Sequence, residues 1–194
     1  QELFDGINLV AVAMGVFGLA EIIRNLEGDD EGRTLQSGLD QEKLRVDMVN
    51  SARFLRTHPL STGKLGATGF CWGGRISWLY AAHNPQLKAA VAWYGKLVGE
   101  KTLNSPKHPV DIATELNAPV LGLYGGQDTG ISLDSVETMR HALRAANAKA
   151  EIVVYPDAGH AFNADYRPSY HAESAKDGWQ RMLAWFSQYG GKKA

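Results

Sequence analysis

The sequence has one cysteine, almost no excess of either charge and no long hydrophobic run, and each shortage removes a class of function. A lone cysteine excludes an internal disulfide and a multi-cysteine metal site, and it suits a reducing compartment, so we expect a cytoplasmic location. The formal net charge of -1 leaves no basic excess for binding nucleic acid. With 194 residues, 44% of them hydrophobic, the chain can bury one core, and we expect a single domain over residues 1–194.

The apolar stretch over residues 6–20 is shorter than the roughly 20 residues that a membrane-spanning helix needs. It follows the acidic residues Glu2 and Asp5, whereas a secretory signal begins with a basic segment. We therefore predict neither a membrane span nor a secretory signal.

The cysteine lies in a pattern that exposes its side chain. Residues 64–74 read Lys-Leu-Gly-Ala-Thr-Gly-Phe-Cys-Trp-Gly-Gly, which predicts a short strand, a sharp Gly-x-Cys-x-Gly turn and a helix. Glycines on both sides of Cys71 avoid clashes where the strand reverses into the helix. The N-terminal end of that helix favours a thiolate and can hold an oxyanion. The competing interpretation is a small buried apolar residue, the commonest fate of a free cysteine.

Two more reactive side chains follow predicted strands. Residues 118–128 form an apolar segment that ends in two glycines, Gln127 and Asp128, and residues 151–162 form an apolar segment and a turn that carries His160. Open parallel sheets bind ligands at the carboxyl ends of their strands. The order of nucleophile, acid and histidine is that of the α/β hydrolases. The sequence therefore predicts a catalytic triad of Cys71, Asp128 and His160.

Strand and helix patterns alternate along the rest of the chain, which favours a doubly wound α/β sheet. Helices are predicted over residues 39–57, 132–146 and 169–189, with Asp40 and Ser132 as caps of the first two. We expect the long connection over residues 95–117 to be able to cover the site. The predicted inward positions are Leu44, Met48, Ala52 and Leu55 in the first helix and Trp179, Leu183 and Phe186 in the last.

From about residue 31 onward the chain resembles the dienelactone hydrolase family, the cysteine branch of the α/β hydrolases. The segments that carry the resemblance are residues 69–74, 92–95, 124–128 and 155–162. The resemblance implies a mostly parallel sheet with helices on both faces, and a hydrolase of small esters or lactones that uses no cofactor and no metal. It also implies that Cys71 is the nucleophile, that His160 is the general base and then the general acid, and that Asp128 orients the imidazole.

Residues 1–30 are atypical for this family. Only residues 8–14 read as a strand, so we expect N-terminal strands of the family to be missing. By the resemblance the backbone of Val16 donates to the oxyanion together with that of Trp72, but Gly15 replaces the acid that the family places before Val16. The same stretch is also similar to part of the membrane subunit of tripartite tricarboxylate transporters, so foreign sequence is an alternative.

Four residues are candidates for substrate binding: Trp93, Tyr94, Phe162 and Arg167. In the family an arginine four residues after the histidine binds a substrate carboxylate, whereas here Ala164 holds that position and Arg167 is the nearby alternative. We expect a small neutral or singly charged ester instead of a dianion.

The other histidines lack the spacing of zinc ligands and are predicted to be surface or capping residues. Asp157 fits a turn, and Asp165 and Asp177 are lower-ranked alternatives to Asp128. These histidines are His58, His83, His108, His141 and His171.

Two functions remain open. The first is an ester or lactone hydrolase with an acyl-cysteine intermediate. The second is a catalytically impaired relative that binds small molecules or reacts with electrophiles through its thiol. The sequence is compatible with a monomer or a homo-oligomer.

Overall fold

A computed structural model describes residues 41–190, with side chains from Leu44 onward. The predictions for Val16, for the strand over residues 8–14 and for Asp40 fall outside this range. Within it, four parallel strands form one sheet in the order β1-β2-β3-β4. The strands are β1 Leu65–Phe70, β2 Leu87–Trp93, β3 Val120–Gly125 and β4 Ala150–Tyr155.

In the described part of the chain, four α-helices and a short 3₁₀ helix connect and cover these strands. They are α1 Gln41–Thr57, α2 Trp72–His83, the 3₁₀ helix Pro109–Glu115, α3 Leu133–Ala145 and α4 Ala172–Tyr189. Three of the four inward positions predicted for α1 are confirmed, because Leu55 is buried and Met48 and Ala52 pack against the core, whereas Leu44 is only partly buried. The predicted cap is also confirmed: the Ser132 side chain accepts a hydrogen bond from the Ser135 N–H.

The side chains of β1 alternate between two covered faces, as the two-residue period of a strand requires. A Cβ at Gly66 would lie 2.8 Å from the Phe186 ring on α4. Gly69 is three residues further along β1, so its side chain would point to the opposite face. A Cβ there would meet the Gly73 backbone of α2. Helices α2 and α4 therefore cover opposite faces of the sheet, which confirms the predicted architecture of helices on both sides.

Central strands β2 and β3 are almost entirely buried, as expected for parallel strands that are covered on both faces. On the α2 side, Trp78 Nε1 donates to the Tyr124 hydroxyl over 3.0 Å. On the α4 side, the indole of Trp93 packs against Gly178, where a Cβ would lie 2.7 Å from the ring. The core is therefore tightly packed on both sides of the sheet.

The inward face predicted for α4 is partly wrong. Trp179 is 43% exposed and Leu183 44% exposed, and only Phe186 of the predicted set contacts the core. The helix begins at Ala172, with His171 as its cap, instead of at residue 169. Its buried positions form the neighbouring stripe, because the small Gly178 lets the helix approach Trp93. That stripe consists of Ala175, Gly178, Met182 and Trp185.

The long connection after β2 is held by α2 and α3. Its 3₁₀ helix packs against both of them, and Arg75 Nη2 on α2 donates to the Lys107 carbonyl over 3.0 Å. Leu97, which belongs to this connection, is fully buried. That this connection covers the site stays a prediction.

Candidate active site

Cys71 lies between β1 and α2 in a left-handed backbone conformation, with φ 53. The turn is tight, because a Cβ at Gly69 would lie 2.4 Å from the carbonyl oxygen of Gly73. A Cβ at Gly73, by contrast, would meet no described atom within 4 Å. The expectation that both flanking glycines avoid a clash therefore holds for Gly69 and is wrong for Gly73. The second steric glycine is Gly74, whose Cβ would lie 2.4 Å from the Trp93 carbonyl oxygen.

The three predicted catalytic side chains form one continuous chain of contacts. His160 Nε2 lies 3.2 Å from Cys71 Sγ, and His160 Nδ1 lies 2.7 Å from Asp128 Oδ2. Cys71 follows β1, Asp128 follows β3 and His160 follows β4, so the parallel register brings all three to the same edge of the sheet.

Asp128 is fixed from both of its oxygens. Its Oδ1 accepts the N–H groups of Gly130 at 2.8 Å and of Ile131 at 3.0 Å, which leaves Oδ2 for His160. The sequence analysis missed these two donors, although an aspartate two residues before a glycine is a recognised turn signal. They hold the carboxylate in the orientation that the imidazole needs.

The hydrogen bonds to Asp128 and then to Cys71 raise the pKa of His160 to about 10. The Asp128 side chain is only 1% exposed, whereas the His160 side chain is 40% exposed. The imidazole can therefore retain a proton at neutral pH while one side of it remains open to solvent or a ligand.

Trp72 is the first residue of α2, so its backbone N–H is among those that have no acceptor within the helix. This N–H stands directly beside the Cys71 sulfur in the chain, at the positive end of the helix dipole. It is in position to meet negative charge that develops next to the thiol.

Three of the residues predicted to bind substrate are buried. Trp93 and Phe162 are fully buried and Tyr94 is 2% exposed, so their rings are parts of the aromatic core. The ring of Tyr94 packs edge-on against the His160 imidazole, with 5.2 Å between centroids. Arg167 is only partly buried, and its guanidinium lies 5.8 Å from the centroid of the Tyr166 ring.

The alternative acids lie elsewhere. Asp157 and Asp165 are exposed, and Asp177 accepts hydrogen bonds from the Tyr155 hydroxyl at 2.8 Å and from Arg181 Nε at 2.6 Å. Asp128 is therefore the acid next to His160.

Two of the remaining histidines cap helices, as predicted for that group. His171 accepts the Ser174 N–H at the start of α4. His108 precedes the 3₁₀ helix and, unlike a surface residue, is only 6% exposed.

Within residues 41–190, no group of three or more His, Cys, Asp and Glu side chains could hold a metal ion. Over the same residues, no helix is both long and apolar enough to cross a membrane.

The model of the dienelactone hydrolase family matches residues 23–190 of this chain. The chain belongs to the dienelactone hydrolase family. The match includes the cysteine turn, the acid and the histidine described above.

Relatives of known sequence agree with this assignment. A Salmonella typhimurium protein assigned as a carboxymethylenebutenolidase is 61% identical over 212 aligned positions, which cover 95% of this chain and 78% of that protein. A Bradyrhizobium protein assigned as a 2-oxo-3-(5-oxofuran-2-ylidene)propanoate lactonase is 31% identical over 75% of this chain and 59% of its own length. Because 212 positions exceed the 194 residues of the chain, the Salmonella protein has residues without a counterpart here.

A crystal structure of a Klebsiella pneumoniae protein assigned as a dienelactone hydrolase is 71% identical to this chain, with a TM-score of 0.77. The match covers 79% of this chain and 64% of the crystallised one, so the chain spans less than two thirds of that protein. This family member therefore shares both its sequence and its sheet with a solved relative over most of its length.

Proposed function

We propose that this chain hydrolyses small carboxylic esters or lactones through an acyl-cysteine intermediate at Cys71. The observation that carries the proposal is the unbroken contact from Cys71 Sγ through the imidazole of His160 to the Asp128 carboxylate. A thiol, a histidine and a buried acid in this order are the parts that nucleophilic acyl transfer requires.

In the first half of the reaction, His160 Nε2 holds the proton that it shares with the Cys71 thiol, and the Cys71 sulfur attacks the carbonyl carbon. The carbonyl π bond breaks and its oxygen becomes an oxyanion, which accepts the Trp72 backbone N–H and, by the family resemblance, that of Val16. When the oxyanion collapses, the C–O bond of the ester breaks and His160 gives its proton to the leaving alkoxide. The product is a thioester on Cys71 and an alcohol, or a single ring-opened acyl chain when the substrate is a lactone.

In the second half, neutral His160 takes a proton from water, and the hydroxide attacks the thioester carbonyl. The second oxyanion collapses with loss of the sulfur, which leaves a carboxylic acid and restores the thiol–imidazole pair. Asp128 supports both halves, because it stabilises the imidazolium that forms in each and fixes the imidazole tautomer.

For the substrate, we infer a small neutral or singly charged ester or lactone. Arg167 is the residue we assign to a substrate carboxylate, since its positive charge acts on the Tyr94 hydroxyl, which also interacts electrostatically with Cys71. The Bradyrhizobium relative is named for a lactone that carries one carboxylate, which is compatible with a role for Arg167 in binding a carboxylate.

The test is hydrolysis of a small activated aryl ester by the wild-type chain and by Cys71→Ala, with the intact mass of the quenched wild-type protein. Steady turnover that is absent from the variant supports the hydrolase. A single acylation of the protein without turnover contradicts the hydrolase and favours the catalytically impaired relative that reacts through its thiol. If Cys71→Ala hydrolyses the ester as fast as the wild-type chain, both functions are excluded, because each depends on Cys71.

A further inference from the structure

Tyr94 has a backbone conformation that is rarely tolerated by a large side chain. Its φ is 37, although it is neither glycine nor asparagine. Such strain persists only where the surrounding contacts determine the conformation, and it is concentrated at functional sites. Here the Tyr94 N–H donates to the Leu123 carbonyl over 2.8 Å, and the preceding Trp93 carbonyl accepts the Cys71 N–H over 3.0 Å. The strained residue is thus tied directly to the backbone of the nucleophile turn.

The ring of Tyr94 is clamped on several sides. It makes edge contacts with His160 and with Phe162, each with 5.2 Å between centroids, at interplanar angles of 63° and 70°. The ring centroids of Phe70 and Trp93 lie 6.0 Å and 6.4 Å from that of Tyr94. Edge-on aromatic pairs have a preferred geometry, so a fixed Tyr94 ring restricts where the imidazole can lie.

The hydroxyl of Tyr94 interacts with the loop that carries the histidine. The backbone of Asn163, three residues after His160, acts on this hydroxyl to lower the pKa of Tyr94. Burial raises the pKa of Tyr94 well above its usual range, so the phenol stays neutral. The charged or titratable groups that act on it are Cys71, Tyr166 and Arg167. One side chain therefore contacts the imidazole with its ring and interacts with the same loop through its oxygen.

We propose that Tyr94 is a positioning residue that holds the His160 imidazole in line with the Cys71 sulfur. Its fixed ring limits the tilt of the imidazole, and its hydroxyl fixes the loop at Asn163. This assignment rests on the proposed function and replaces the expectation that Tyr94 lines the substrate pocket, because the side chain is almost wholly buried.

The experiment is the pH dependence of iodoacetamide alkylation, read by intact mass, in the full chain. Cys71 is the sole cysteine, so the rate reports one thiolate and, through it, the contact with His160. In Tyr94→Leu we expect alkylation below neutral pH to slow by roughly tenfold, toward the profile of His160→Ala, because the imidazole is no longer held. Tyr94→Phe retains the ring but loses the hydroxyl that we propose to fix the loop. Its alkylation profile should therefore shift in the same direction as that of Tyr94→Leu, but by a smaller amount.

Tyr80→Phe is the matched control, since it also removes a buried hydroxyl that accepts a hydrogen bond, in that case from Asn84 Nδ2. It should leave the alkylation profile unchanged. A purely structural role for Tyr94 would lower the melting temperature and leave the profile unchanged, and that result in a folded Tyr94→Leu overturns the proposal. If Tyr94→Leu does not fold, Tyr94→Phe tests the hydroxyl and Tyr94→Met tests the ring, and wild-type profiles in both variants overturn the proposal.

Alkylation of Cys71 does not require ester hydrolysis, so the hydrolase function and the positioning role of Tyr94 can fail separately. If the wild-type chain does not hydrolyse esters, the proposed function is contradicted, but the pH profiles of alkylation still test the role of Tyr94. Where turnover exists, Tyr94→Phe should lower kcat more than it changes KM, because a positioning residue does not touch the substrate.

Discussion

The imidazole of His160 lies between two partners, with Nε2 at 3.2 Å from Cys71 Sγ and Nδ1 directed at Asp128. Because Nδ1 is bound to the carboxylate, Nε2 is the nitrogen that can exchange a proton with the thiol. Asp128 does not contact the Cys71 sulfur, but it influences the reactivity of that sulfur by fixing the orientation of the imidazole between them.

Replacing Asp128 tests that link. In Asp128→Asn the amide keeps an oxygen for the N–H groups of Gly130 and Ile131 but can no longer stabilise an imidazolium. We expect ester turnover to fall by roughly 10³–10⁴-fold. Asp157→Asn is the matched control, because Asp157 is exposed and only three residues from His160. Equal losses in the two variants would contradict the assignment of Asp128.

The two glycines that flank Cys71 should respond differently to alanine. A methyl at Gly69 would lie 2.4 Å from a backbone oxygen, so the turn must open, and we expect a loss of several kcal/mol, about 3, in the free energy of unfolding. A methyl at Gly73 meets nothing within 4 Å and lies in α2, so Gly73→Ala should be neutral or stabilise by about 0.5–1 kcal/mol. Urea unfolding measures both. A larger loss in Gly73→Ala than in Gly69→Ala would refute this account.

Arg167 is the residue whose loss should alter substrate preference. We expect Arg167→Gln to raise KM for an ester that carries a carboxylate by roughly tenfold, and to leave a neutral ester of the same size nearly unchanged, because only the anion loses a partner. Arg144→Gln on α3 is the control, since Arg144 is exposed on another helix. An equal effect of Arg167→Gln on both esters would remove the carboxylate from the proposal.

The catalytic residues could be predicted from the sequence, because their positions depend on the order of residues within short segments. Cys71, Asp128 and His160 each lie within five residues after the end of a strand, and parallel strands bring such positions to one edge. Their contact could therefore be predicted without knowing any packing. The Gly69 constraint could be predicted for the same reason, because it arises within five residues of chain.

Packing between distant elements could not be predicted in the same way. Helix α4 has two adjacent apolar stripes, and its pattern favours the one with Trp179 and Leu183, although the other is buried. The choice depends on Gly178, which accommodates the Trp93 indole. Likewise, Trp93 at a strand end reads equally well as a pocket wall or as core, and only the neighbouring helix makes it core.

Raising the pH should remove stability that the His160 site contributes. The hydrogen bonds to Asp128 and Cys71 raise the pKa of His160 to about 10 in the folded chain, from 6.5 for an ordinary histidine. A raised folded-state pKa means that the folded state binds the proton more tightly. The resulting stability is fully present below about pH 6.5 and is lost as the pH rises through about 10. We therefore expect the stability advantage of wild type over His160→Gln to shrink across this window in urea unfolding.

The thiol also titrates at alkaline pH, so the comparison is repeated in a Cys71→Ala background. Asp128 still accepts from the imidazole there, and this hydrogen bond is the largest cause that raises the pKa of His160. The advantage should again decrease with pH, although over a narrower window because the contributions of Cys71 are gone. His141→Gln, at an exposed position on α3, should show no such trend. An advantage that stays constant or grows between pH 6.5 and 10 would mean that the folded state does not favour the imidazolium.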